Sequence, residues 1–291
     1  MHLNKVILIG GTGYVGQVFA RFFEENDVPF SIWSTKDFDY YNQALVAARI
    51  AEVKPVAVIN TAGYVGRPNV DACEDFPDEC LKANAFLPVS LKEVCDRYGV
   101  VFGHVSSGCV YSGGGPNDQG FRESDVPNFA FGSGGSFYSG SKVMGEELLE
   151  NGSDCFIWRM RLPFDSAQGP RNLISKLMSY PRVADVENSV TQIDEFVAAC
   201  WRCISERLPY GICHLTNPGW FSWRDVIEMG FQKGLIDQLP EFVDDQETGL
   251  TKAPRSSCRL NTDKAVAAGI EMRPVVDAIE SAMMSMMEKN N

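Results

Sequence analysis

Short apolar runs alternate with segments of helical period along most of this chain. Residues 5–9 (Lys-Val-Ile-Leu-Ile) form a continuous apolar run of strand length, and residues 17–25 place apolar side chains at helical spacing. The same alternation predicts strands over 29–33, 56–60, 100–106 and 155–159, with helices over 42–53, 78–98 and 138–151. Strands buried on both faces read as unbroken apolar runs, so the pattern predicts an α/β fold with a Rossmann-type, doubly wound, mostly parallel sheet. That unit is expected over residues 1–163. Beyond it the pattern is mixed: helix 171–180, a strand near 182–186, helix 193–206, strand 212–216, helix 222–233, a polar connection over 240–257, and helices near 261–268 and 274–288. Residues 164–291 are expected to form mainly a smaller C-terminal substrate-binding domain, with about 190–216 returning to the Rossmann unit. Residues 112–136 are rich in Gly, Ser and Asn and break the rhythm. A structureless loop of that length is expected to border the active site.

The turn after the first strand reads Gly10-Gly11-Thr12-Gly13-Tyr14-Val15-Gly16. Glycines at 10, 13 and 16, between a strand and a helix, allow backbone N–H groups to approach a pyrophosphate at the helix N-terminus. Thr12, Tyr14 and Val15 belong to the same turn. Asn60, Ala62 and Gly63 at the end of the third strand, and Pro163 after the fifth, are counted with them. The second strand ends Trp33-Ser34-Thr35-Lys36, with no acid at the position that commonly bonds a ribose 2′-hydroxyl. Ser34 and Lys36 suit a 2′-phosphate, so NADPH is expected, with NADH as the alternative.

Composition narrows the partners. The chain has 291 residues, 26 Lys plus Arg against 38 Asp plus Glu, and a net charge of −12. That balance argues against a nucleic acid or an anionic membrane surface as partner. No stretch approaches the roughly 18 apolar residues of a membrane span, and residues 6–9 are too short for a signal sequence, so a cytoplasmic protein is expected. Nine irregularly spaced cysteines fit reduced thiols. Cys200-x-x-Cys203 falls on a predicted helix without a second pair at zinc spacing, and is read as a packed face; no metal site is expected. His104 and His214 fall in strands and are read as structural.

Tyr138-Ser-Gly-Ser-Lys142 opens a predicted helix, which puts the phenol and the ammonium on one face. The ammonium is expected to lower the phenol pKa toward neutrality, and the phenol can then donate a proton to a carbonyl during hydride transfer. Ser107, at the end of the fourth strand, can hold the carbonyl oxygen.

With the glycine turn, these residues resemble the extended short-chain dehydrogenase/reductase superfamily, and within it the plant-type nucleotide-rhamnose synthase/epimerase-reductases. The closer likeness is carried by Gly66-Arg-Pro-Asn-Val-Asp-Ala-Cys-Glu74, Ser107-Gly-Cys109, residues 120–129 and 135–139, Pro170-Arg-Asn172, Thr216-Asn-Pro-Gly219 and Ala253-Pro-Arg-Ser256. The sequence departs from the family at Trp33 and Lys36 and carries a short insertion over 37–41. The resemblance implies conversion of UDP-4-keto-6-deoxy-D-glucose to UDP-L-rhamnose by a bifunctional 3,5-epimerase/4-keto-reductase. Tyr138 and Lys142 match its catalytic pair, Ser107 its Thr or Ser, and Cys109 and Lys176 the acid/base pair of epimerisation. Inverting a carbon beside a keto group needs a proton removed from one face and returned to the other, a task a thiol and an amine can share. While strand geometry persists, Ser107 and Cys109 should share a face.

A nucleotide-sugar carries a diphosphate, so cations must gather locally within an acidic chain. Arg67, Arg171 and Arg255 are the candidates, with Asn69 and Asn172 as polar partners; Asn84 is expected to support the active-site helix. A four-helix dimer contact is common in that superfamily, so a homodimer is among the assemblies the resemblance allows, and the sequence itself does not give the oligomeric state. Three alternatives stand beside the leading reading: reduction alone, action on a dTDP- or GDP-linked sugar, and a non-catalytic NADP-binding subunit.

Overall fold

Six parallel strands form the central sheet: β1 (Val6–Ile9), β2 (Phe30–Trp33), β3 (Ala57–Asn60), β4 (Val101–Ser107), β5 (Phe156–Met160) and β6 (Gly211–His214). Their order across the sheet is β6-β5-β4-β3-β1-β2, and every adjacent pair runs parallel. The computed structural model describes residues 5–150, 154–244 and 251–288.

Period-two geometry explains why the short apolar runs became central strands. Val6 and Leu8 enter one hydrophobic core with Phe19, Phe23, Trp158 and Phe196, while Ile7 and Ile9 enter a second with Ile50, Leu91 and Phe102. Helices α1 (Tyr14–Glu25) and α6 (Ile193–Ser205) cover the first face. Helices α2 (Gln43–Val53) and α3 (Leu87–Tyr98) cover the second. Helix α4 (Phe137–Glu150) packs beside α3. A third core, with Phe164, Ile174, Leu177, Trp223, Ile227 and Met283, joins α5 (Leu173–Ser179), α7 (Trp223–Gln232) and α8 (Val275–Glu288).

The chain order reverses direction between β1 and β3, so their carboxyl ends open a crevice of the kind that receives ligands in such sheets. The glycine turn and Asn60–Gly63 both lie there.

Several elements differ from the sequence expectation. The predicted helix over 78–98 is divided: an α-helical turn at Pro77–Leu81, a π-helical stretch at Lys82–Phe86, and then α3. The loop over 112–136 is held rather than structureless. It contains a 3-10 turn at Pro116–Asp118, and its backbone donates to the 257–261 segment from Gly113 (2.7 Å to Ser257 O) and Phe121 (2.8 Å to Arg259 O). The Phe121 ring stacks on Tyr111 at 4.4 Å. The polar connection over 240–257 holds a short strand, Glu241–Val243, paired with Arg182–Ala184; its residues 245–250 lie outside the described residues. So does residue 151, the end of the predicted helix 138–151. Among the described residues no helix is long and apolar enough to cross a membrane.

Candidate active site

The glycine turn is built by close approach. Gly10 has φ +76, which L side chains rarely adopt, and a Cβ on Gly16 would stand 2.3 Å from Gly10 O. Helix α1 therefore starts against the strand end itself. It has no side-chain N-cap bond and no acid in its first turn, whereas α2, α5, α6 and α7 are each capped by a side chain (Asn42, Asn172, Gln192 and Ser222). Open N–H groups and an unopposed positive helix end fit a pyrophosphate. Thr12 is exposed, and Gly13, Tyr14 and Val15 are half-buried at this end. The Tyr14 hydroxyl donates to Asp165 Oδ2 (2.8 Å), tying the turn to the 165 loop, and burial, then that carboxylate, pushes its pKa up. Pro163 begins the short strand Pro163–Phe164, paired with Thr191–Gln192.

At the end of β2, Ser34 Oγ donates to Asp37 Oδ2 (2.7 Å). The Ser34 proton is thus engaged by a carboxylate, and Lys36 stands exposed beside it. The acid missing from the strand end returns three residues later by way of this turn.

Ser107, Cys109, Tyr138 and Lys142 come together where β4 meets α4. Ser107 accepts from Cys109 N, its hydroxyl stands close enough to Tyr138 to ease the phenol's ionisation, and Cys109 lies within the electrostatic reach of Lys142. The strand does not persist past Ser107. Gly108–Val110 is a 3-10 turn, and Ser107 Oγ accepts from Cys109 N at 3.2 Å. The predicted shared face therefore gives way to a side-chain cap, which still keeps the hydroxyl and the thiol adjacent. Cys109 is buried, and burial is the main cause of its raised pKa; Ser107, Arg161, Ser139 and Lys142 oppose it.

The phenol behaves differently from the sequence expectation. Burial, then Cys109, pushes Tyr138 well above its ordinary pKa, and the Ser107 bond only partly counters this. The expected fall toward neutrality is not met, because desolvation and the surrounding thiols act together and only the Ser107 hydroxyl opposes them. A protonated phenol is nevertheless the form that donates to a carbonyl oxygen. Lys142 is 5% exposed; burial lowers its pKa, and Cys109, Glu146, Cys80 and Cys73 raise it. A Cβ on Gly63 would lie 3.3 Å from Lys142 Nζ, so β3 and the lysine face one another across the crevice.

Asn60 is buried, with Oδ1 accepting from Ala62 N (3.1 Å) and Nδ2 beside His104 Nδ1 (3.1 Å). Asn84 sits in the π-helical stretch. Its amide oxygen accepts from Tyr64 N (2.9 Å), and its Nδ2 donates to Tyr64 O (2.9 Å) and Ser141 Oγ (3.0 Å). It braces β3's exit loop against α4.

The remaining candidates are dispersed. Arg255 pairs with Asp71 (2.9 Å), and its other nitrogen reaches Asn69 Oδ1 at 3.4 Å, so these three form one polar cluster. Arg67 is exposed nearby in sequence. Asn172 is buried and fully used: it caps α5 through Ile174 N and donates to Asp165 O and Ala167 O. That occupation leaves its amide serving the loop rather than open to a ligand. Lys176 and Arg171 are exposed on and before α5. Burial, then the Arg171 charge, lowers the Lys176 pKa. The Ser107–Cys109 hydrogen bond and charge contacts join Ser107, Cys109, Tyr138 and Lys142; among the described residues no such contact joins Lys176 to them.

Sequence reading missed four participants. Glu146 lies one turn beyond Lys142, completing a Tyr138-Lys142-Glu146 line whose spacing of four was visible in the sequence. Cys80 Sγ lies 3.2 Å from Ser141 Oγ and accepts from Asn84 Nδ2 (3.3 Å); the neighbouring Cys73 thiol first, then Ser141 and Asn84, lower the Cys80 thiol pKa. Arg161 approaches Cys109 from beyond β5. Nothing in the sequence separates these last three from ordinary core residues.

The RmlD substrate binding domain family matches residues 4–287. This chain belongs to that family. A relative from Arabidopsis thaliana, the bifunctional dTDP-4-dehydrorhamnose 3,5-epimerase/dTDP-4-dehydrorhamnose reductase, is 33% identical over 94% of this chain and 90% of its own. A trifunctional UDP-glucose 4,6-dehydratase/UDP-4-keto-6-deoxy-D-glucose 3,5-epimerase/UDP-4-keto-L-rhamnose-reductase of the same plant is 31% identical over 89% of this chain but only 39% of its own. The fold is similar to that of the L780 UDP-rhamnose synthase from Acanthamoeba polyphaga mimivirus, with a TM-score of 0.88, 24% identity, and 97% and 99% of the two chains covered. A dTDP-4-dehydrorhamnose reductase from Bacillus anthracis, solved in complex with NADP, gives a TM-score of 0.82 at 20% identity, covering 98% and 99%. The architecture is the Rossmann type of the short-chain dehydrogenase/reductases, and the chain, like the curated relatives it matches, is an enzyme.

Proposed function

We propose that this enzyme is an NADPH-dependent, bifunctional 3,5-epimerase/4-keto-reductase that converts UDP-4-keto-6-deoxy-D-glucose to UDP-L-rhamnose. The observation that carries the reading is the contact set Ser107–Tyr138 and Ser107–Cys109, with Lys142 beside them at the ligand crevice. A phenol, a hydroxyl and a thiol standing around one point support a proton donor, an oxygen holder and a base acting together. The names of the relatives support the rhamnose series, and the solved NADP complex supports the cofactor.

In this reading the sugar's C4 carbonyl lies between the Ser107 and Tyr138 hydroxyls. Those two donors stabilise the enolate oxygen when a proton leaves C3 or C5. Cys109 removes that proton, and Lys176 returns one to the opposite face. Because Lys176 is exposed on α5, the substrate must bring the two groups to opposite sides of the ring, or α5 must close over it. Bound NADPH supplies the hydride for C4. Tyr138 then gives its proton to the C4 oxygen, while the buried ammonium of Lys142 favours the tyrosinate left behind. Arg67, Asn69 and Arg255 are the proposed diphosphate contacts, in which a phosphate oxygen would compete with Asp71 for the Arg255 guanidinium. Residues 164–291 are proposed to supply most of the sugar site.

The relatives divide between UDP- and dTDP-linked sugars, so both substrates belong in the test. The purified protein is given each nucleotide-4-keto-6-deoxy-glucose with NADPH, and the product sugar is identified by NMR. A rhamnose product from the UDP sugar supports the proposal. A C4-reduced sugar with unchanged C3 and C5 leaves a reductase alone, and rhamnose formed only from the dTDP sugar reassigns the nucleotide.

A further inference from the structure

Arg161 is 6% exposed and carries a charge that no carboxylate meets among the described residues. Its NH2 group donates to two neutral acceptors, Asn188 Oδ1 (2.7 Å) and the Ser256 carbonyl, and its buried Nε has no partner. A buried guanidinium held only by neutral groups is costly, and such a cation calls for an anion close by. By contrast, the neighbouring buried Arg159 is fully paired with Glu146.

The sheet fixes what Arg161 faces. Ser107 on β4 is in register with Met160 on β5, so the next residue, Arg161, comes alongside the Gly108–Val110 turn that carries Cys109. The 188 and 256–258 segments lock it there: Asn188 Oδ1 also accepts from Cys258 N (3.1 Å), and Cys258 Sγ donates to Gly108 O (3.2 Å). The other charged or titratable groups around Cys109 are Tyr138 and Lys142 on α4 and Cys73 on the helical turn Ala72–Asp75.

We propose that Arg161 is a positioning residue for proton transfer at Cys109: its unpaired buried guanidinium stabilises the thiolate that takes the proton from the sugar. The inference rests on the reading of Cys109 as the epimerisation base and adds the group that makes that base available. Arg161 and Lys142 both favour the thiolate.

The test reads the ionisation of one thiol. The pH dependence of Cys109 alkylation is followed in the full-length protein, with Cys109→Ala as the blank, together with deuterium wash-in at C3 and C5 of the keto-sugar in D2O without NADPH. Arg161→Gln should raise the pH midpoint of alkylation by about one unit and slow wash-in near neutrality about tenfold. Arg161→Lys should recover most of both. Asn188→Asp keeps the two acceptor bonds of that side chain and adds only a negative charge beside the guanidinium, so it should shift the midpoint upward without loss of fold. A midpoint unmoved in Asn188→Asp and in any folded Arg161→Gln protein would overturn the proposal. Full wash-in by Cys109→Ala would instead sink the assignment of Cys109, and the alkylation midpoints would still report separately on Arg161.

Discussion

Glu146 and Arg159 form an ion pair inside the protein, 2.6 Å apart at their closest atoms, with side chains 3% and 2% exposed. The guanidinium also donates to the Tyr111 hydroxyl (2.9 Å), and its NH1 lies beside His214 Nε2 (3.1 Å). The pair ties α4, which carries Tyr138 and Lys142, to the middle of the sheet. Removing one partner leaves the other charge buried and unpaired. Glu146→Ala or Arg159→Ala should therefore cost about 3–5 kcal/mol of unfolding free energy. In urea unfolding, the double variant should cost clearly less than the sum of the singles; strict additivity would show that the two charges do not depend on each other.

The Ser34–Asp37 hydrogen bond makes a prediction about cofactor choice. The end of β2 is where this fold reads the adenosine ribose. Asp37 both engages the Ser34 proton and places a negative charge there. Asp37→Ala should improve kcat/KM for NADPH relative to NADH by about tenfold, the value of one charge-assisted hydrogen bond. Lys36→Ala should change the ratio in the opposite direction by a similar factor. Ratios that stay fixed in both variants would place the 2′-phosphate elsewhere.

Two histidines should make the fold sensitive to acid. His214 is held down to about 3, by burial first and then by Arg159, and burial holds His104 well below its ordinary value. Below about pH 6.5 the unfolded chain binds protons at these positions that the folded chain refuses. The unfolded state then holds more protons, so stability falls as pH falls. Each histidine contributes a slope of about 1.4 kcal/mol per pH unit, lasting for His214 until its folded value is reached. Urea titrations from neutral pH down to about 5 should show the slope, and His214→Gln should reduce it. A slope equal in the two proteins would refute the assignment to His214.

Tyr138→Phe removes the proposed proton donor without removing its ring. Reduction of the keto-sugar should fall about 100-fold or more, while NADPH binding, followed by its fluorescence, should stay close to that of the unaltered protein. Normal turnover in this variant would require another donor to the C4 oxygen.

The apolar runs at 5–9 and 56–60 announced β1 and β3 because a strand covered on both faces has no polar side to show. The glycine spacing announced the turn before α1 for an equally local reason: Gly16 has no room for a side chain. What stayed hidden depends on contacts between distant segments. The π-helical stretch at Lys82–Phe86 accompanies Asn84's bonds to Tyr64, a partner twenty residues away, and leaves no periodic signature. The loop over 112–136 reads as free until the 257–261 segment is placed beside it. Ser107 and Cys109 were recognisable as a pair, but the 3-10 turn that joins them was not. Arg161 reads like any arginine after a strand, and only the absence of a carboxylate around it among the described residues sets it apart.

The central claim is that one site both exchanges protons beside the C4 carbonyl and delivers a reduced product. The direct measurement is turnover of UDP-4-keto-6-deoxy-D-glucose with NADPH in D2O, with the product examined by NMR. The account predicts UDP-L-rhamnose carrying deuterium at both C3 and C5, formed in step with NADPH oxidation. Oxidation of NADPH with no deuterium at C3 and C5, or no oxidation at all, would contradict it.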